Sequence, residues 1–262
     1  MLRTLLVCGL IAGAAGGVLV TGFAQVTGEP AISRAESFEY AQRAAAHQPP
    51  EMELVPRKIQ RSFGLLTAAV VYGLSFGGLF ALTFAAVYGR VGRASPARTA
   101  LWLALAAFVV LYLVPLVKYP ANPPSVGNPD TIQRRTELYL LMMGSSLAAA
   151  LAAVRVRAAL ARRIDGGGAT LLALALYLVV VVVAGLALPG VHEVPRGFPA
   201  ETLWRFRESS VGLQAVMWTT IGLVFAGGAQ RAMTGRRIVP RPAELRAGWR
   251  GREREPAGAR RD

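Results

Sequence analysis

The sequence predicts an all-α integral membrane protein of about six transmembrane helices, and three observations carry that prediction. Of its 262 residues 53% are hydrophobic and 17% charged, too little charge for an ordinary soluble domain. The apolar residues are gathered into runs of about 18 to 25, the length a helix needs to cross roughly 30 Å of hydrocarbon. The basic residues, which leave a net charge of +14, fall mainly in alternate connections between those runs, as the cytoplasmic loops of membrane proteins do.

The spans lie at about 4–24, 64–88, 99–117, 137–154, 169–188 and 209–230; five contain no Asp, Glu, Lys or Arg, and the fourth contains only Glu137. In the first, Gly9, Gly13 and Gly17 recur every four residues, giving one face a groove for close helix packing in lipid. A cleavable signal peptide is the competing reading of this segment, and the groove favours a retained span. Cys8 is the single cysteine, so no intrachain disulfide forms. Leu5-Leu6-Val7-Cys8 lies too near the start to have an apolar stretch before it, which argues against a lipobox and for a small buried cysteine. The fourth span is the shortest and carries Ser145 and Ser146; without it five spans remain and the termini separate.

Orientation follows from the Lys and Arg count. Eighteen lie on one side: Arg3, Arg90, Arg93, Arg98, Arg155, Arg157, Arg162, Arg163 and ten in 231–262. Eleven lie on the other, in 25–63, 118–136 and 189–208, and the acids run the opposite way, five against ten. The first side is therefore expected to be cytoplasmic, with both termini there. The chain divides into a helical membrane domain, 1–230, and an Arg-rich tail, 231–262, expected to be disordered and to lie against anionic lipid. A basic chain also raises nucleic-acid binding, but no reading motif accompanies the charge and none is expected.

The three outward loops are the distinctive ones. After Gly28-Glu29-Pro30 the first reads as a short amphipathic helix: Pro30 suits the first helical position, Ser33 and Glu36 have capping-box spacing, and Ile32, Ala35 and Phe38 share a face. It stops at His47-Gln48-Pro49-Pro50. The second runs from Lys118-Tyr119-Pro120-Ala121-Asn122-Pro123-Pro124 to Asn128-Pro129-Asp130, and the third from His192-Glu193-Val194-Pro195 through Phe198-Pro199 to Trp204-Arg205-Phe206-Arg207. Pro30 with Arg34, Pro129 with Arg134 and Pro199 with Arg205 hint at three related hairpins, although each residue is common at such places.

No enzyme signature is present: neither a nucleophile elbow, nor a phosphate-binding glycine loop, nor a His-Glu-x-x-His motif. With only His47 and His192, a multi-histidine zinc site within the chain is excluded. Hydroxyls and amides within the spans, such as Ser75, Thr83, Ser146, Gln214 and Thr220, are expected to bond between helices or back to their own carbonyls rather than to line a path. The better chemical candidate is the outer mouth. His192 is a borderline donor suited to Co, Ni or Zn, and Glu193, Asn122 and Asp130 supply oxygen. The alternative is that these acids pair with Arg196, Arg205 and Arg134 as interfacial structure.

At these loops the sequence resembles the CbtA family, predicted cobalt transporter subunits of bacteria. The resemblance covers about 1–230 and rests on Gly28-Glu29-Pro30, Gly64-Leu65-Leu66-Thr67, Gly77-Gly78-Leu79-Phe80, Tyr112-Leu113-Val114-Pro115, the Pro120–Pro124 loop, Arg134-Arg135-Thr136, Glu193-Val194-Pro195 and Leu203-Trp204-Arg205-Phe206-Arg207. It implies cobalt uptake for cobalamin synthesis, with Co2+ as cargo and no resident cofactor known, beside a small one-span CbtB-like partner with a histidine-rich end. Membrane lipids are the other expected contacts, and a homo-oligomer is left open. A non-conducting scaffold that positions a metal-binding partner is the alternative function.

Overall fold

The computed structural model of the chain describes residues 1–49, 54–92 and 94–234. It contains six helices long and apolar enough to cross a membrane: α1 (Leu2–Thr27), α3 (Arg57–Val87), α4 (Pro96–Lys118), α5 (Pro129–Leu160), α6 (Gly166–Ala187) and α7 (Ala200–Thr234). A seventh, α2 (Glu29–Ala45), lies in the first loop, and no strand occurs among the described residues. The fourth span is thus a full helix, and six crossings put residue 1 and Thr234 at the same end. Helices are the solution because lipid offers no partner to a bare backbone amide or carbonyl.

Glycine decides how α1 and α3 meet. Gly9, Gly13 and Gly17 face Gly77, Gly73 and Ala69 in antiparallel register, so closely that a Cβ at Gly13 would lie 1.9 Å from the Gly73 carbonyl oxygen. Only residues without a side chain let two backbones approach so far, and the gain is dispersion contact along both helices. The other side of α1 packs on α7, where Cys8 Sγ sits against Gly228. Helix α1 is thus held between α3 and α7. Phe80 and Phe84 of α3 stand edge-on to Phe225 of α7, with centroids 5.1 and 5.0 Å apart. On its far side α7 takes up α4, with Gly222 against Ala104.

Helices α5 and α6 form a separate pair that meets the rest through the second half of α4. Their one polar contact at depth is Ser146 Oγ to the Tyr177 hydroxyl, 2.9 Å, with Ser146 fully buried. Elsewhere Ser75, Thr83 and Thr220 donate to Val71, Leu79 and Val216 one turn back, the local bonding expected of hydroxyls in lipid.

Several boundaries differ from the sequence reading. The fourth and sixth helices run to Pro129–Leu160 and Ala200–Thr234, well past 137–154 and 209–230, because helical hydrogen bonding continues through the arginine-bearing turns beyond the apolar stretch. Ser33 and Glu36 do not form a capping box: α2 starts at Glu29, Gly28 keeps helical angles (φ −85°, ψ −51°), and Ser33 lies inside the helix, its carbonyl accepting from the Ser37 hydroxyl at 2.9 Å. Glu36 pairs instead with Arg57, 3.0 Å away. The last helix extends four residues into the expected tail, and 235–262 lie outside the described residues.

One irregularity bears on the site. Pro115 sits inside α4, where its ring removes a donor and crowds the carbonyl four residues earlier. The helix is widened to a π turn over Phe108–Leu113 just before it. Such bulges occur frequently at functional sites, and this one contains Tyr112, which lines the cavity described below.

Candidate functional site

At the end of the bundle that carries α2 and the two proline-rich loops lies a cavity of about 480 Å³. Its polar lining comes from Tyr112 and Tyr119 of the α4 end, Asn122 of the second loop, Arg135 of α5, Glu193 of the third loop and Arg207 of α7. Five parts of the chain therefore supply its walls.

The loops are held from beneath and across. Ala35 and Phe38 of α2, Val126 and Phe198 form a small apolar cluster with Leu203, and Phe38 meets Phe198 edge-on at 5.0 Å. Glu29 and Glu36 fix Arg57 at 2.9 and 3.0 Å. The Ser125 hydroxyl donates to the Ala35 carbonyl and to Glu39 Oε2, at 3.1 and 2.9 Å. Tyr119 donates its hydroxyl to the Pro189 carbonyl at 2.8 Å, tying the second loop to the third, and Tyr112 is bonded to Ser210 of α7 at 2.7 Å.

Two arginines face this cavity. Arg207 donates from Nε to the Ala121 carbonyl (3.3 Å) and from Nη2 to Asn122 Oδ1 (3.1 Å). Arg135 donates from Nη1 to the Val126 carbonyl and from Nη2 to the Asn128 carbonyl, at 3.4 and 3.2 Å. The turn that presents those carbonyls needs Gly127, which has φ +115° and whose Cβ would lie 1.9 Å from Arg135 Nη1. The positive φ favours glycine there, and a side chain would also displace the Arg135 guanidinium. Glu193 accepts from the Asn128 backbone N–H (2.9 Å) and the Thr131 hydroxyl (2.8 Å), with Arg135 Nε 3.5 Å away. The Asn128 N–H, then the Thr131 hydroxyl, and to a smaller degree the Arg135 charge, hold its carboxyl below the usual 4.5.

Of the four residues expected at a metal-receiving mouth, Glu193 and Asn122 line the cavity. His192 is exposed and outside the lining, with its ring against Gly190. Asp130 is exposed in the first turn of α5, where its N–H is capped by Asn128 Oδ1 at 3.0 Å. Among the described residues no three of His, Cys, Asp and Glu are grouped as metal ligands. The expected partners of the acids are also different: Arg205 pairs with Glu201 of its own helix at 3.6 Å, while Arg135 rather than Arg134 meets Glu193. Arg34, Arg134 and Arg205, the arginines that follow Pro30, Pro129 and Pro199 in the three outward loops, are all exposed. Arg135 and Arg207 are the residues the sequence reading misses. Their signal is position, since each lies one or two residues beyond an exposed arginine and so faces another side of its helix.

Fold and cavity together define a multi-pass helical membrane protein with an arginine-bearing chamber at one end. The chain belongs to the CbtA family, described as probable cobalt transporter subunits, whose model matches residues 2–230. The match stops just short of the arginine-rich tail. No curated protein and no solved structure was found that matches the chain. The family is one of transporter subunits, not of enzymes.

Proposed function

We propose that this chain is the membrane-spanning subunit of a cobalt uptake transporter serving cobalamin synthesis. It would lie in the bacterial inner membrane with both termini cytoplasmic, beside a small one-span, histidine-rich CbtB-like subunit. The observation that carries the reading is convergence. Several of the segments that carry the family resemblance supply residues to one cavity, namely Tyr112, Pro120, Asn122, Arg135, Thr136, Glu193, Val194 and Arg207, which run from 112 to 207 in the sequence. That cavity opens at the end with the lower Lys and Arg count, the outer one by the positive-inside rule.

His192 and Glu193, with Asn122 and Asp130 next, are the proposed first ligands for an incoming cation, His192 at the rim and Glu193 with Asn122 inside. Nitrogen donation favours cobalt over magnesium at such a point. For Glu193 to serve, it must leave Arg135 and the Asn128 N–H. The test is uptake of labelled cobalt by cells or vesicles that contain the chain with and without the small subunit. Uptake should require both chains, and His192→Ala with Glu193→Ala should lower it at unchanged protein level. Wild-type uptake kinetics in that double variant would remove these residues from the route.

A scaffold that positions the metal-binding partner without conducting is favoured by one observation: Ser75, Thr83 and Thr220 are bonded back to their own helices. On that reading the partner alone takes up cobalt, at a rate this chain raises only through the partner's amount or placement.

A further inference from the structure

The cavity holds more positive charge than it neutralises. Its ionised lining residues are Arg135, Arg207 and Glu193, and the carboxylate is already engaged by Asn128, Thr131 and Arg135. Arg207 has no carboxylate partner among the described residues; its two acceptors, the Ala121 carbonyl and Asn122 Oδ1, are neutral. A guanidinium carries five N–H donors, so three of Arg207's stay unused. Arg135 Nε is buried without a hydrogen-bond partner, since 3.5 Å to Glu193 exceeds a charge-assisted bond. The Tyr139 hydroxyl of the same wall makes no hydrogen bond among the described residues. Charge withdrawn from water normally has a counter-charge, and here two guanidinium groups and a phenol share a chamber with room for a small polyanion.

We propose that this cavity is an oxyanion site, which takes a ligand bearing carboxylate or phosphate oxygens between Arg207 and Arg135. Planar guanidinium matches such oxygens two at a time, which a point charge does not. The inference rests on the proposed function only in treating the cavity as the outer entry, and its binding test needs no cobalt.

The full chain in phosphatidylcholine nanodiscs is titrated calorimetrically with citrate and with inorganic phosphate, then again in discs containing phosphatidylglycerol. Saturable binding of citrate or phosphate is expected, weakened at least about tenfold by Arg207→Gln and by Arg135→Gln and less by Arg207→Lys, in line with the strength of charge-assisted bonds. If a lipid headgroup is the natural occupant, phosphatidylglycerol discs lose citrate binding, and the wild type, but not Arg207→Gln, melts higher in them. Should a glutamine variant fail to fold, the Arg207→Lys titration and the ligand-induced rise in the wild-type melting temperature decide the matter. Absence of saturable binding and of any anion-dependent stabilisation in either disc, or equal binding by wild type and the arginine variants, overturns the site. Cobalt uptake measured in parallel separates the two readings. Anion binding without uptake sinks the cobalt reading and leaves the oxyanion site, and uptake without anion binding does the reverse.

Discussion

At the scale of single residues, Glu193 shows how a mouth residue is held. Its folded carboxyl lies below the usual 4.5, chiefly through the Asn128 N–H and then the Thr131 hydroxyl. A depressed carboxylate stabilises the fold at all pH above its unfolded value, and that contribution is lost as pH falls through the folded value. Wild type should therefore melt above Glu193→Gln by a constant margin between about pH 5 and 8, with the margin shrinking at more acid pH. Thermal melts in detergent across that range check it, and a margin that widens on acidification contradicts the bonding described. That Glu193 stands at the mouth is legible from its place just after a span. Which arginine it meets is not, because the choice of Arg135 over Arg134 depends on the left-handed turn at Gly127 and on which face of α5 then points inward.

At the scale of elements, the α1–α3 contact is the most legible part of the fold. The four-residue glycine spacing in α1 announces a close packing face, though it does not name the partner. The answering stripe, Ala69, Gly73 and Gly77, becomes visible only once the two helices are side by side. Gly13→Ala should destabilise the bundle by about 1–3 kcal/mol or more, the cost of overpacking a tight contact, because its methyl meets a carbonyl oxygen rather than a flexible side chain. Gly144→Ala, where a Cβ meets nothing within 4 Å, should leave the melting temperature level or higher. Equal melting of the two variants would mean that α1 is not seated on α3 as described. The π turn before Pro115 belongs here as well: the proline is visible in the sequence, whereas the widened turn before it, which contains the cavity-lining Tyr112, shows only in the folded helix.

For the whole molecule, sidedness is the outstanding physical statement. The charge count puts residues near 45, 125 and 195 outside and those near 95 and 160 inside. Single cysteines at these places, in a Cys8→Ala background that keeps a small residue against Gly228, should react with an impermeant thiol reagent in intact cells at the first three and not at the last two. Labelling at 95 or 160 would invert the protein and turn the cavity toward the cytoplasm. The sequence by itself determines the class and the long apolar helices, since these follow from local hydropathy and length, which do not depend on what packs against what, and its charge count predicts a side for each loop. It also marks the loops where the site lies and the family to which the chain belongs. The tertiary structure decides which side chains meet. Arg207 reaches Asn122 across 85 positions, and Arg135 reaches Glu193 through a turn set by Gly127, because long-range pairing depends on helix rotation and loop path, and those are fixed only when α4, α5 and α7 pack together.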